Sequence, residues 1–499
     1  MRYIGLFLLF LPVQAWAQLQ VAGVFSANMV LQRNSPIPVW GKAVPGKIVN
    51  VTLGSVVIST VAEKDSAWIV YLPGQKATKQ PRSLTISSGD TAVVLRNILL
   101  GDLWLCIGQS NMEWPMSKEL HYHNEIPHSD QPLLRFYNPT YAGKNIFAAK
   151  YTDSVLALLN VNNFYKGNWQ NCDSNSFKQM SAVAYYFGKR IVHDVNIPVG
   201  LINLSIGGAP LETFIDAHEL RNSREFLAKV QGNWLENDAL PVWVRERGNQ
   251  NVGSLTKAPA DALGKNHAFK PGFAFEAGIQ PLIRLPITGI ICYQGESNAQ
   301  ETDRVIEYVA LSKLMINSFR RKWKQPRLPF YFVQLSSIDT LKYKGHLWPQ
   351  FRNEQRKMMH EIDFSGMAVC SDMGFRNDVH PTNKKDVGER LARWALNKTY
   401  REPIIPSGPL PVKAVYRNGK VIISFKYTGK GLQLSGCTTV RGFSVDGRTD
   451  AMATIGKHNI IVPAFPKPQY IYYAWKPFSD GNLVNTERLP ASTFKIPVE

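Results

Sequence analysis

Asp102-Leu103-Trp104-Leu105-Cys106-Ile107-Gly108-Gln109-Ser110-Asn111-Met112-Glu113 is the stretch on which the reading of this chain turns. From Leu103 to Ile107 apolar residues follow one another with no polar alternation, as in a strand buried on both faces of a parallel sheet. The run stops at Gly108, and small or polar residues follow. A serine just past the C-terminal end of such a strand stands where open α/β sheets place their ligand crevices. A helix beginning there at once would leave free N–H groups beside Ser110, able to hold a developing oxyanion. Gly-x-Ser turns are common, so this one takes its meaning from the rest of the chain.

Outward from that stretch, residues 98–405 alternate strand-like and helical segments. Strands are expected at 198–205, 287–293, 329–335 and 366–370. Helices are expected after Ser181 as N-cap and over 276–284, 303–324, 350–362 and 386–396. This order predicts an α/β domain, a parallel sheet with helices on both faces. The Asn-, Tyr- and His-rich stretch to about residue 175 reads as loops lining a cleft. Residues 18–97 and 406–499 instead read as short strands between turns, each a small β-sandwich. In the second, Arg417-Asn418-Gly419-Lys420 is a type I′ hairpin signal.

The first residues read as an export signal: Arg2, an apolar run from Ile4 to Leu11, and Ala15-Trp16-Ala17 as the cleavage site, giving residues 1–17 as a leader. The expectation is an exported protein, periplasmic or secreted, with no membrane insertion. Five cysteines without a CxxC suggest neither a disulfide framework nor a zinc site. The formal charge of +19 suits anionic partners such as polysaccharide, acidic sugars or membrane surfaces, or else a solvated basic surface, the reading that the dispersed basic residues favour. Its basic residues are dispersed and no nucleic-acid motif appears, so nucleic acid is not expected.

Three strands of the middle domain end in polar or small clusters that open at one sheet edge: Gln109-Ser110-Asn111, Gly207-Gly208, and Gln294-Gly295-Glu296-Ser297-Asn298. Asn377-Asp378-Val379-His380-Pro381 precedes the last helix. A serine, a histidine, a carboxylate and preorganised N–H donors are the parts acyl transfer needs. The Gly-x-Ser-x-Gly elbow is absent, so an ordinary α/β-hydrolase is not supported. Read as a glycosidase pair, Glu296 and Asp378 leave Ser110 and His380 without a role. His121 and His123 lack a third metal ligand at helical spacing. Arg352 and Gln355, on one helix face, are either substrate-facing or surface residues. Trp114, Tyr137, Phe164 and Trp169 are either a sugar-stacking rim or core.

In this order the motifs resemble the sialate O-acetylesterase family of the SGNH-hydrolase superfamily. So do Phe25–Gly41, Ser181–Gly188, and Tyr473-Ala474-Trp475 with Leu489-Pro490-Ala491-Ser492. The resemblance implies an SGNH-type (flavodoxin-like) catalytic domain and a serine esterase removing O-acetyl groups from a sugar, 9-O-acetyl sialic acid first. Acetylated xylan, or a non-catalytic carbohydrate-binding protein, are the alternatives. Carried onto this chain, it implies Ser110 as nucleophile, His380 as base and Asp378 as its orienter. The oxyanion hole would comprise the Ser110 N–H, Gly207 or Gly208, and the Gln294 amide, with Asn298 second. Gln109, Asn111, Glu296 and Asn298 are supporting candidates. Asp378 stands two residues before the histidine where many SGNH enzymes use three, the place of Asn377, so Asp372 is the fallback. No metal or organic cofactor is implied, and oligomeric state stays open.

Overall fold

Thr91–Gly108 is one continuous strand, β1, and the molecule is built around it. Its first half alternates exposed and half-buried positions, while every residue from Ile98 on is buried. The first half belongs to the N-terminal strands, pairing antiparallel with Thr78–Ser88. N-terminal strands still pair with β1 as far as Gly101, and from Asp102 on it runs through the centre of the α/β sheet. Asn97, at φ 59°, stands where exposed positions give way to buried ones, and asparagine is a side chain that tolerates this region. The change in residue pattern at 97–98 is thus real, yet it falls inside a single strand.

The computed structural model describes residues 19–339 and 345–499, so the expected leader lies outside the described residues. Beyond β1 come the short helix α1 (Ser110–Glu113), β2 (Gln131–Tyr137), β3 (Trp169–Cys172), α2 (Ala182–Val195) and β4 (Val199–Asn203). Then follow α3 (Val242–Gly248), β5 (Gly289–Tyr293), α4 (Thr302–Lys322), β6 (Phe330–Gln334), α5 (Trp348–Glu361), β7 (Ser365–Val369) and α6 (Lys385–Trp394). The strand order is β3-β2-β4-β1-β5-β6-β7. All neighbours pair parallel except β3 with β2, so the sheet is mixed rather than purely parallel. The stretch expected to be loops therefore contributes two strands. Pro132 and Arg135 in β2, and polar Gln170 and Asn171 in β3, hide the strand pattern of an edge pair.

Sequence accounts for most of the helices. Ser181 caps α2 by accepting the Ala184 N–H at 3.1 Å, and Asn196 ends it at φ 59°. The expected helix at 276–284 is instead a π turn, Phe275–Ile279, followed by a 3-10 turn, Gln280–Leu282. Pro281, with no N–H to donate, falls at that change of winding. Along β6, Gln334 reaches the Arg352 carbonyl in α5, while Tyr331, on the other face, reaches Thr399 just past α6. Helices therefore cover both faces. No described helix is long and apolar enough to cross a membrane.

One contiguous core runs from Leu19 to Leu410, and a second from Ala414 to Val498. In the latter, Leu410–Arg417 and Lys420–Lys426 form the expected hairpin, with Asn418 and Gly419 at φ 47° and 74°. Arg352 pins this C-terminal unit to α5. Fully buried, it donates to the Ala474 carbonyl at 3.1 Å and to the Lys476 carbonyl, so it does not face a substrate.

Candidate active site

Strand order reverses around β1: the chain leaves it towards β2 and β4, then crosses to β5 on its other side. This is the topological position where open α/β sheets form a crevice. Gly108, the last residue of β1, pairs with Tyr293, the last of β5. At φ 134°, a Cβ on Gly108 would stand 2.1 Å from the Tyr293 carbonyl oxygen, so only glycine ends the strand here. The chain then turns directly into α1, and Ser110 faces a cavity of about 810 Å³.

Across the cavity the loop after β7 delivers His380. Its Nε2 lies 2.8 Å from Ser110 Oγ, and its Nδ1 lies 2.7 Å from Asp378 Oδ1. The same Asp378 oxygen accepts the His380 backbone N–H at 2.9 Å, an Asx turn that folds the carboxylate back onto the ring. Two residues of spacing therefore suffice. Asp372, the fallback, is engaged in a two-point pair with Arg390 at 2.7 and 2.8 Å. With Nδ1–H donated to the carboxylate, the Nε2 lone pair is left to the serine hydroxyl. Trp114 stacks on the imidazole at 5.3 Å. Burial pushes the His380 pKa below its ordinary 6.5, outweighing the opposing pull of Asp378.

Both glycines line the cavity, and their surroundings differ. A Cβ on Gly207 would lie 2.9 Å from Glu113 Oε2 and 4.0 Å from the Ser110 Cβ. Its N–H donates to the Tyr141 hydroxyl at 3.2 Å, which in turn donates to Glu113 at 3.1 Å. Gly208 has φ 77° and abuts Trp243 and Phe269.

The amides sort less simply than their order in sequence. Gln294 is buried behind the wall, where Nε2 donates to Asn298 Oδ1 at 2.8 Å and Oε1 accepts from Tyr308 at 2.7 Å. Asn298 accepts the Leu211 N–H and donates to Glu212. Both knit loops together away from the cavity. Gln109 is the amide on the wall beside Ser110. Its Oε1 accepts the Ser297 N–H at 3.3 Å, and among the described residues its Nε2 has no protein partner.

A buried relay runs through Asn111, the residue after Ser110. Lys384 Nζ donates to Asn111 Oδ1, while Asn111 Nδ2 donates to Glu296 Oε1 at 2.5 Å and to the Val379 carbonyl at 2.9 Å. Asn111 thereby ties α1 to the loops carrying Glu296 and His380. Burial pushes Glu296 up to about 7 and Lys384 down to about 7. Lys384 escaped the sequence reading because nothing sets one lysine in Asn383-Lys384-Lys385-Asp386 apart. Of the four aromatics, Trp114 lines the cavity, whereas Phe164 and Trp169 are core. Cys106 and Cys292 are buried thiols raised by desolvation.

The family described as "Carbohydrate esterase, sialic acid-specific acetylesterase" matches residues 276–397, which include the Gln294–Asn298 loop, Asp378 and His380. Sialate O-acetylesterase of Homo sapiens is 25% identical over 455 residues, covering 84% of this chain and 80% of that protein. The Mus musculus sialate O-acetylesterase is 26% identical over 422 residues, covering 77% and 74%. The crystal structure of a carbohydrate acetylesterase from Xanthomonas citri superposes with a TM-score of 0.78 at 27% identity, covering 96% of this chain and 99% of that one.

Proposed function

For this chain, which belongs to the sialate O-acetylesterase family and is a carbohydrate esterase, we propose that the substrate is an O-acetylated sialic acid, the 9-O-acetyl form first, cleaved through an acetyl-Ser110 intermediate. One observation carries the reading: Ser110 Oγ, the two imidazole nitrogens of His380 and Asp378 Oδ1 follow one another at 2.8 and 2.7 Å.

His380 Nε2 takes the Ser110 proton as Oγ attacks the acetyl carbonyl carbon. The C–O bond to the sugar then breaks, and the departing sugar oxygen takes that proton from His380. A water gives its proton to the same nitrogen and attacks the acetyl-serine. Acetate leaves, and Ser110 recovers the proton. Asp378 holds the ring in the required tautomer and stabilises the imidazolium. The tetrahedral oxyanion is held by the Ser110 and Gly207 N–H groups and by the Gln109 amide, in place of Gln294. Gly207 is preferred over Gly208 for its nearness to Ser110. Tyr141 holds its N–H in the resting site and must yield it.

Around this centre, residues 98–405 act as an SGNH-type catalytic domain between two small β-sandwiches, 18–97 and 406–499. The separate core beginning at Ala414 favours the second boundary. Export through the leader at 1–17, to the periplasm or outside, completes the reading.

The test is acetate release from O-acetylated sialic acid and from acetylated xylan, by wild type and Ser110→Ala. Release from sialic acid that disappears in the variant is expected. Release from xylan alone would keep the chemistry and overturn the sugar. Release undiminished in Ser110→Ala would overturn the mechanism.

A further inference from the structure

The cavity has a second wall, which begins where Gly208 meets Trp243 and Phe269. Arg247, on α3, projects onto it. Its guanidinium carbon stands 5.9 Å from the ring centres of both Phe147 and Trp243. Its Nε is buried with no hydrogen-bond acceptor, and among the described residues no carboxylate pairs with it. The neighbouring charges do not answer it. Glu113 is held by Lys144 at 3.1 Å and by Tyr141, and Lys118 lies over the Trp114 ring.

Next to it on the wall, His267 adds no negative charge. Its Nδ1 accepts the Phe269 N–H at 3.0 Å, which fixes the proton on Nε2, facing Tyr151 and Asn251. Burial, and then the Arg247 charge, push its pKa down to about 3, so the ring stays neutral. The wall thus presents one oriented cation, aromatic faces and no anion.

A cation partly withdrawn from water without a counter-ion is costly, and here two rings hold it in place. A guanidinium has the fork geometry that matches a carboxylate, and the rings beside it suit the C–H face of a sugar. A cavity of about 810 Å³ has room for both ends of one monosaccharide. We propose that Arg247 anchors a carboxylate on the sugar, so that the cavity takes an acidic O-acetylated sugar with its acetyl group at Ser110 and its carboxylate at Arg247. This rests on the reading that the acetyl ester is cleaved at Ser110. Sialic acids and hexuronic acids both carry such a carboxylate.

The experiment compares kcat/KM for two pairs of substrates: O-acetylated sialic acid with its methyl ester, and an O-acetylated hexuronic acid with its methyl ester. Wild type, Arg247→Met and Arg247→Lys are measured. The acid-to-ester ratio is taken within one preparation, so it does not depend on how much of a variant is folded. Wild type is expected to favour the acid of at least one pair by about 10- to 100-fold, the scale of a charge-assisted pair. Arg247→Met should bring that ratio to about one, mainly through KM, while Arg247→Lys retains part of it. Preference in the hexuronic pair alone keeps Arg247 as the anchor and overturns sialic acid as the substrate. Sialic acid cleaved with a ratio near one, or a preference that survives Arg247→Met, overturns the anchor and leaves the esterase reading intact. Cleavage of acetylated xylan with neither acid accepted overturns the anchor and the acidic sugar, and leaves the esterase chemistry standing.

Discussion

Two chains of hydrogen bonds meet at consecutive residues, Ser110 and Asn111, and both place a polar bridge between a carboxyl group and its partner. In the rim chain, half-exposed Asp378 holds His380, which faces the serine. In the buried chain, Glu296 and Lys384 are bridged by Asn111, the residue after the serine. Their surroundings separate their roles. The rim imidazole is held below its ordinary 6.5 and meets the Ser110 hydroxyl, so it can take a proton from it at neutral pH. The buried pair has both ends driven towards 7 by desolvation, but it is bridged by the Asn111 amide, which does not titrate, and it makes no hydrogen bond to Ser110 among the described residues. In the proposed mechanism the first chain moves the proton, and the second sets geometry.

The sharpest way to break this contrast is to remove His380. His380→Ala should lower kcat by about 10⁴- to 10⁶-fold with little change in thermal unfolding, since the side chain carries proton transfer rather than packing. A loss under about tenfold would place the base elsewhere. Asn111→Ala attacks the other chain. It leaves Lys384 and Glu296 buried without their bridge and frees the Val379 carbonyl, so the unfolding midpoint should fall. Turnover should drop about 10²-fold, the scale of a misplaced reacting group. Stability unchanged in this variant would contradict a positioning role.

Asp378→Asn is expected to cost less, about 10- to 100-fold, because water can reach this half-exposed site; a buried orienting aspartate is worth about 10⁴-fold. Asp378 raises the His380 pKa, so the variant's acid limb in kcat/KM should move to lower pH than the wild type's, which itself lies below 6.5. A limb moving upward would contradict the assignment. The smallest effect concerns Glu296. Folding lifts its carboxyl from the ordinary 4.5 to about 7, so its contribution favours the folded state at low pH and is lost as pH rises through that window. Relative to wild type, the unfolding midpoint of Glu296→Gln should therefore rise between about pH 5 and about pH 7. A constant gap would place the carboxyl outside this account.

Some of this was legible in the chain and some was not. The unbroken apolar run into Gly108 marks a central strand because only a strand buried on both faces has that composition. The polar clusters at 207–208, 294–298 and 377–381 mark the same edge because they follow strands or precede the last helix. The hairpin at Asn418-Gly419 is local chemistry and reads directly. The edge strand β3 and its neighbour β2 do not read, because proline, arginine and polar residues interrupt the apolar pattern in both. Gln294 was the natural amide by position, but its partners Tyr308 and Asn298 are fixed by tertiary packing, and they take it away from the cavity. Asn111 was visible as a neighbour of the serine, whereas Lys384 and Arg247 carry no motif. Their significance is what they lack or share in space.

The central claim is that Ser110 is the nucleophile and that His380 activates it. It is tested most directly by labelling the protein with a serine-directed phosphonate and locating the adduct by peptide mass spectrometry in wild type and His380→Ala. The account predicts an adduct on Ser110 in wild type and almost none in the variant. An adduct on another residue, or labelling of Ser110 that is equally fast without His380, would contradict it.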